Sequence, residues 1–415
     1  MNNRDRWRVY KRVSVMFFLA VVTLTVVQRG SNNMAAPFEL ERQARMDASE
    51  GVEDGAPLGE KIDSYLGLKH FWKIAKHKQV PKSLATSQES KITEDSRTWD
   101  ITSSNCTANL NLSSQDWFVG LEPTFQQFLH YRHCRWFPMI LNHPEKCRGD
   151  IHLLMIIKSV ATQHDRREVI RKTWGKEQVV DGKRIKTLFL LGQPPNEAER
   201  VNHQKLVEYE NHIYGDILQW DFLDSFFNLT LKETHFLKWF HTYCPNVQYI
   251  FKGDDDVFVS VQNIFEFLES SKQATDLFVG DVIFKAKPIR KKENKYYIPQ
   301  TLYNKTYYPP YAGGGGFLMD GKLAKKLHVV ADTLELYPID DVFLGMCLEV
   351  LQITPIKHNA FKTFGLVKNK KSKLNREPCF FKSMIVVHKL LPADLMHMWN
   401  LVNSNLVCSQ KVEIL

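Results

Sequence analysis

The run Phe251-Lys252-Gly253-Asp254-Asp255-Asp256-Val257-Phe258-Val259 sets three carboxylates side by side between two β-forming apolar stretches. Three negative charges within a few ångströms repel one another and favour a cation among them. A solvated acidic turn is the plainer reading, but such turns normally flank polar residues rather than follow a buried strand. The alternating ligand spacing and closing Glu of an EF-hand are missing. Carboxylates with an open coordination side suit Mg²⁺ or Mn²⁺ bridged to phosphate oxygens.

Other segments carry groups that could work with such a centre. Asp340-Asp341 precede Val342–Leu351, whose pattern predicts a helix. One Asp can cap that helix while its neighbour acts as general base towards an attacking hydroxyl. Tyr311-Ala312-Gly313-Gly314-Gly315-Gly316 holds four consecutive glycines. Glycine tolerates positive φ and lets a ligand approach the backbone, but a flexible linker is the alternative. The run is neither a Walker A loop nor G-x-G-x-x-G. Arg167 and Arg171 share a predicted helix face, as do Ile170 and Trp174. They form either a solvated basic face or a guanidinium site for a nucleotide diphosphate. His388 ends the apolar run Met384–Val387, a place where a structural histidine is commoner than a metal ligand.

These residues need a scaffold to bring them together. Ile151–Ile157 is a continuous apolar run, as expected of a strand buried on both faces. Helical sequence follows over 166–174, then strands at Thr187–Gly192, Ile217–Trp220 and Gln248–Lys252 with helical stretches at 197–212 and Leu229–Tyr243. In the last helix Leu231, Phe236, Leu237 and Phe240 are expected to face the core. The alternation predicts an α/β fold with a mostly parallel sheet and helices on both faces. It puts the Asp triplet at a strand's carboxyl end, where open α/β sheets bind ligands.

The N-terminus predicts an address. Arg4, Arg6, Arg8, Lys11 and Arg12 precede the apolar run Val13–Val27. That is shorter than the roughly 20 residues of a typical span, so a cleaved signal peptide competes with a signal anchor. The basic load before the segment favours the anchor, and a short span suits thin early-secretory membranes. The expected layout is a cytosolic tail at 1–12, a transmembrane helix at 13–28, a polar stem at 29–98 and a lumenal catalytic domain at 99–415. Within that domain, 99–149 is an aromatic, cysteine-bearing cap. Seven cysteines with no C-x-x-C pair point to disulfides in an oxidising compartment, leaving at least one thiol unpaired or shared with another chain. Sequons at Asn105, Asn111, Asn228 and Asn304 agree. The net charge of +9 admits several anionic partners. A lumenal address and the lack of any nucleic-acid module argue against nucleic acid.

Taken in order, Arg166-Arg167 through Trp174-Gly175, Phe189–Gly192, Phe226–Lys232, the triplet, Phe278–Val282, Tyr311–Gly316 and Asp340–Val342 resemble one family, the Golgi inverting β-1,3-glycosyltransferases (glycosyltransferase family 31). The resemblance covers about residues 99 to 408, and its branch resembled here is the N-acetylglucosaminyltransferases that extend poly-N-acetyllactosamine. It implies a GT-A fold, UDP-N-acetylglucosamine (UDP-GlcNAc) as donor and Mn²⁺ or Mg²⁺ as cofactor. The implied reaction is β-1,3 transfer with inversion to terminal galactose of lactosamine or keratan-sulfate-type glycans. Galactosyltransferases share most of these motifs, so UDP-galactose stays an alternative donor. A non-catalytic lumenal binding protein or chaperone is the alternative from another class.

Carried over by position, Asp254, Asp256 and His388 hold the metal, and Asp341 is the catalytic base. Arg167, Asp224, Lys252, Asp255 and Asp340 lie near the nucleotide sugar, and Tyr296, Tyr297, Tyr311, Gly313 and Gly314 near the acceptor. The implied partners are glycans of glycoproteins or proteoglycans, sulfated chains included, other glycosyltransferases, and the Golgi membrane in single-pass type II orientation. Two basic clusters, Lys285–Lys295 and Lys368–Lys373, are either exposed loops or point charges attracting sulfated glycans.

Overall fold

The computed structural model describes residues 98–104, 106–271, 275–363 and 376–408. The expected tail, anchor and stem, Asn105 and the Lys368–Lys373 cluster lie outside them. No helix among the described residues is long and apolar enough to cross a membrane. The chain divides into a large unit, reaching to Ala286 and resuming at Lys305, and a small one whose described part is Lys287–Asn304.

In the large unit the strands are β1 (Met139–Leu141), β2 (Ile151–Lys158), β3 (Gln178–Val180), β4 (Lys183–Gln193), β5 (Ile217–Leu223) and β6 (Val247–Asp254). They continue with β7 (Val257–Val259), β8 (Phe278–Ile283), β9 (Tyr311–Asp320), β10 (Ile356–Lys357), β11 (Phe361–Lys362) and β12 (Val386–His388). The helices are α1 (Asp116–Val119), α2 (Pro123–Tyr131), α3 (His164–Lys172), α4 (Glu197–Tyr214) and α5 (Leu229–Tyr243). After them come α6 (Val261–Ser270), α7 (Gly321–Thr333), α8 (Asp340–Leu351), α9 (Pro378–Lys382) and α10 (Pro392–Val402).

Nine strands form one sheet in the order β1-β5-β4-β2-β6-β9-β8-β10, with β3 beside β4. Parallel pairing runs through β5, β4, β2 and β6. Strand β9 is antiparallel to both its neighbours, β6 and β8, and β1 is antiparallel to β5. The sheet is therefore mixed rather than mostly parallel. The glycine-rich β9 carries no β-forming pattern, so its insertion was invisible in the sequence.

Burial explains the continuous apolar run of β2: Ile151 and Leu153–Ile157 are inaccessible to solvent. Leu153, Met155 and Ile157 enter one core with Ile170, Trp174, Phe251, Ile264, Val386, Leu395 and Met398. Helices α5, α7 and α8 pack on the sheet through β4, β6 and β9. Helix α5 is not simply amphipathic. Every residue from Thr230 to Leu237 is buried, Lys232 and Glu233 included. Disulfides join Cys106 to Cys134, Cys147 to Cys244 and Cys379 to Cys408. The odd thiol is Cys347, buried in α8 and so not presented to another chain.

A second, three-stranded sheet in the order β11-β12-β7 matters most for the site. Its antiparallel register sets His388 opposite Val257, the residue after the Asp triplet.

Candidate active site

The triplet forms the turn between β6, which ends at Asp254, and β7, which begins at Val257. The backbone N–H groups of Lys389 and Leu390 donate to the Asp256 carbonyl, fixing the end of β12 against this turn. His388 Nε2 thereby lies 2.8 Å from Asp256 Oδ1 and 3.5 Å from Asp254 Oδ2. Its Nδ1–H donates to the Thr363 carbonyl at 2.8 Å, which turns Nε2 towards the carboxylates. A ring nitrogen facing two carboxylates requires a positive centre there, either a proton or a cation. Burial alone would lower the imidazole pKa; Asp256 and then Asp254 outweigh it and raise it.

One ligand atom from each of Asp254, Asp256 and His388 falls within 4.8 Å of the others. An imidazole among oxygen donors fits Mn²⁺ better than Mg²⁺, which takes oxygen ligands almost alone. Asp255 faces away from this trio. Its Oδ2 accepts from Ser159 Oγ at 2.7 Å and its Oδ1 from Arg166 Nη1 at 2.9 Å. Burial raises its carboxyl pKa, with Ser159 and Arg166 opposing. Arg166 also comes within 3.6 Å of Asp256.

Lys158, the last residue of β2, ties the triplet to the second Asp pair. Its ammonium lies 2.8 Å from Asp340 Oδ2 and 3.2 Å from Asp254 Oδ1. Burial would lower its pKa, but Asp254, Asp340 and Asp341 together raise it well above the ordinary value. Helix α8 begins at Asp340, with Ile339 rather than an Asp in the capping position. Both carboxylates therefore sit in its first turn, where a negative charge is favoured.

The glycines explain how these groups fit. They lie inside β9, not in a flexible linker, and none has a positive φ. A Cβ at Gly314 would come within 2.5 Å of Asp341 Oδ1, and one at Gly315 within 2.8 Å of His388 Nδ1. A Cβ at Gly313 would sit 2.8 Å from Thr363 Oγ1. Absent side chains thus make room for Asp341, His388 and Thr363 against the strand. The Gly314 N–H donates to Asp341 Oδ2 at 2.8 Å and orients that carboxylate.

A family model described as Galactosyltransferase matches residues 165–359, a span holding Arg166, the triplet and both Asp340 and Asp341. The chain is 58% identical over 358 residues to UDP-GlcNAc:betaGal beta-1,3-N-acetylglucosaminyltransferase 7 of Rattus norvegicus, covering 86% of this chain and 88% of that protein. The chain belongs to the galactosyltransferase family. It is 42% identical over 313 residues to N-acetyllactosaminide beta-1,3-N-acetylglucosaminyltransferase 3 of Homo sapiens, covering 74% of this chain and 84% of that one. Against UDP-GlcNAc:betaGal beta-1,3-N-acetylglucosaminyltransferase 9 of Homo sapiens the identity is 45% over 297 residues, with 67% and 74% covered. The protein is a glycosyltransferase.

Three residues expected near the nucleotide sugar have their charged groups paired within the scaffold. Arg167 is wholly buried; its Nε and Nη2 donate to Glu210, each at 2.7 Å, and Nη1 donates to Ser159 Oγ and the Val160 carbonyl. Burial would raise the Glu210 carboxyl pKa, but Arg167 and Arg171 pull it down to about 2. Asp224 accepts from the Lys232 ammonium at 2.8 Å and from the Gly192 N–H at 2.8 Å. Lys252 is buried against Glu233. A charge this deep must be paired, and each of the three has its partner inside the scaffold.

Tyr311 opens β9 edge-on to Tyr308, with ring centroids 6.3 Å apart. Tyr296 and Tyr297 belong to the small unit, where Arg290 donates to the Ile298 and Tyr303 carbonyls. Asn111 and Asn304 are exposed, and Asn228, half-buried, precedes α5. The groups that sequence reasoning missed are Lys158, Ser159, Arg166, Asp281 and Thr363. Lys158 did leave a signal: a lone charge ends an otherwise apolar buried strand, at the edge where ligands bind.

Proposed function

We propose that the chain transfers N-acetylglucosamine from UDP-GlcNAc to the 3-hydroxyl of a terminal galactose, in β-1,3 linkage and with inversion, through a GT-A-type site. One observation carries this reading: a two-carboxylate, one-imidazole trio is joined through Lys158 to Asp340, whose neighbour Asp341 is held separately by the Gly314 N–H. The relatives' names, which pair UDP-GlcNAc with β-galactose, support the donor and the linkage.

Asp341, oriented by the Gly314 N–H, takes the proton from the acceptor hydroxyl. The freed oxygen attacks the anomeric carbon opposite the bond to UDP, which breaks with inversion. Asp254, Asp256 and His388 would hold Mn²⁺, which supplies Lewis-acid stabilisation of the departing diphosphate. Arg166, partly exposed beside Asp255 and Asp256, adds positive charge for the same phosphates. The scaffold pairs Arg167, Asp224 and Lys252 internally, so their contribution is to hold β2, α3 and α5 in place.

The acceptors are lactosamine and keratan-sulfate-type chains, sulfated ones included. Lys285, Lys287, Arg290, Lys291, Lys292 and Lys295 are all exposed, which supports attraction of anionic glycans. The three disulfides, the sequons and the basic-then-apolar N-terminus support a type II protein of the Golgi membrane with its catalytic domain in the lumen.

UDP release by the full chain with Mn²⁺ and a lactosamine acceptor, run against UDP-GlcNAc, UDP-galactose and UDP-N-acetylgalactosamine, tests the donor. UDP-galactose as the preferred donor would overturn that assignment. Asp341→Asn is expected to lose about 10²–10⁴-fold in turnover while still binding UDP; unchanged turnover would remove Asp341 as base. Sulfated acceptors should react faster than unsulfated ones at low salt, with the difference fading at moderate salt; equal rates at low salt would remove the sulfate preference.

A further inference from the structure

Asp281 lies where the ladder between β8 and β9 breaks. Gly280 pairs with Phe317, yet Val282 pairs with Ala312. All four residues Gly313–Gly316 therefore stand opposite Asp281 alone. The extra residues bulge β9 and leave Asp281 outside the regular ladder, where its carboxylate takes its partner from elsewhere. Asp281 Oδ2 accepts from Thr363 Oγ1 at 2.8 Å and from the Thr363 N–H at 3.3 Å. Thr363 is fully buried, and its own carbonyl accepts the Nδ1–H of His388.

We infer that Asp281 is a positioning residue of the metal site, gripping Thr363 so that its carbonyl fixes the tautomer and direction of His388. The inference rests on the proposed metal-holding role of Asp254, Asp256 and His388. Two hydrogen bonds to one carboxylate oxygen hold both the hydroxyl and the backbone of Thr363, and charge-assisted bonds of this kind are the stiffer ones. Partners behind a ligating histidine orient its ring and set its basicity. Gly313 is part of the same device, since any side chain there would displace Thr363 Oγ1. Sequence alone gives no hint of it: Asp281 and Thr363 stand 82 residues apart.

A merely bracing role for Asp281, holding β8 near β11, predicts lower stability and unaltered metal affinity. The discriminating measurement is therefore Mn²⁺ binding by the full chain without donor or acceptor. Free Mn²⁺ is followed by its paramagnetic resonance signal, with thermal melts alongside. Asp281→Asn, nearly isosteric, is expected to bind Mn²⁺ about 10- to 100-fold more weakly, while Thr363→Ser, which keeps both hydrogen bonds, stays within about 2-fold of the wild type. Wild-type affinity in Asp281→Asn overturns the inference, as does an equal loss in Thr363→Ser. Wild-type binding that is unaffected by Asp256→Asn would instead overturn the metal site itself, so the two failures are distinguishable.

Discussion

Two adjacent arginines at the start of α3 have opposite fates. Arg167 is wholly buried on Glu210, whereas Arg166 is about a quarter exposed and reaches Asp255. Truncating one partner of a buried pair leaves an uncompensated charge and costs about 3–5 kcal/mol. Arg171, 2.8 Å from Glu210, would keep the loss in Arg167→Ala near the low end of that range. Arg166→Ala should cost less, about 1–2 kcal/mol, because Arg166 is itself partly exposed and Ser159 still donates to the buried Asp255, and should also raise the KM for UDP-GlcNAc. Urea melts and donor titrations of both variants check this; greater destabilisation by Arg166→Ala would refute it. The inward side was legible in principle. Arg167 falls three residues before Ile170, a core residue of α3, so it shares that helix face. Pairing it with Arg171 as a basic face looked at charge and overlooked that period. The Asp triplet stood out by following an apolar strand, against the plainer reading of a solvated acidic turn, while Asp341 shared a helix-capping reading with its neighbour and drew its expected role as base from the family resemblance. Asp255's reversal was not legible, since adjacent residues of a turn face directions that spacing cannot fix.

Elements were legible where side chains advertise them. Strands β2 and β6 and helices α3 and α5 stand near the expected places because apolar periodicity marks them. Strand β4 begins four residues before the expected Thr187, at Lys183, after a hairpin turn in which Asp181 and Gly182 have φ of 49° and 75°. The Asp-Gly dipeptide between Val180 and Lys183 is itself a hairpin signal of type I′. By contrast β9 was unreadable, because glycine marks a strand only through what its missing side chain lets in. Gly314→Ala would press a methyl to 2.5 Å from Asp341 Oδ1, so the carboxylate must move. Displacing a reacting group by around an ångström costs about 10²-fold in rate, and overpacking costs about 1–3 kcal/mol of stability. Gly182→Ala is the control: no atom lies within 4 Å of its Cβ, but φ is +75°. It should lose about 1–2 kcal/mol of stability with kcat intact. Equal kcat in Gly314→Ala and the wild type would show that β9 does not set the position of Asp341.

At the scale of the whole molecule, the aromatic-rich segment 99–149 and the buried helix α5 meet at His235. The sequence showed an aromatic-rich segment at 99–149 but not its purpose, since His235 and Phe137 are 98 residues apart. His235 Nδ1–H donates to the Leu231 carbonyl at 2.7 Å, and its Nε2 accepts the Phe137 N–H at 3.1 Å. Trp99, Trp136, Phe137, Trp220 and Phe222 surround the ring, each with its centroid within 5.8 Å of it. Burial holds the imidazole neutral and pushes its pKa down to about 3. The unfolded chain takes up this proton near pH 6.5, whereas the folded chain resists until about pH 3. Between those values the unfolded state binds more protons, so stability falls as pH falls, by about 1.4 kcal/mol per unit. Glu210, held at about 2, loses its contribution only below the ordinary carboxylate range, so its window lies lower. His328, lowered to about 4 by burial, acts in the same sense as His235, while His388, raised, acts against it. A difference measurement isolates His235 from both. The unfolding free energy of the wild type minus that of His235→Phe should shrink by about 2 kcal/mol from pH 7 to pH 5. The unpaired Phe137 N–H left by the substitution adds a constant offset and no slope. If the difference between the two proteins is flat across that range, the aromatic-rich segment does not hold His235 neutral, and its sealing of α5 by desolvation fails with it.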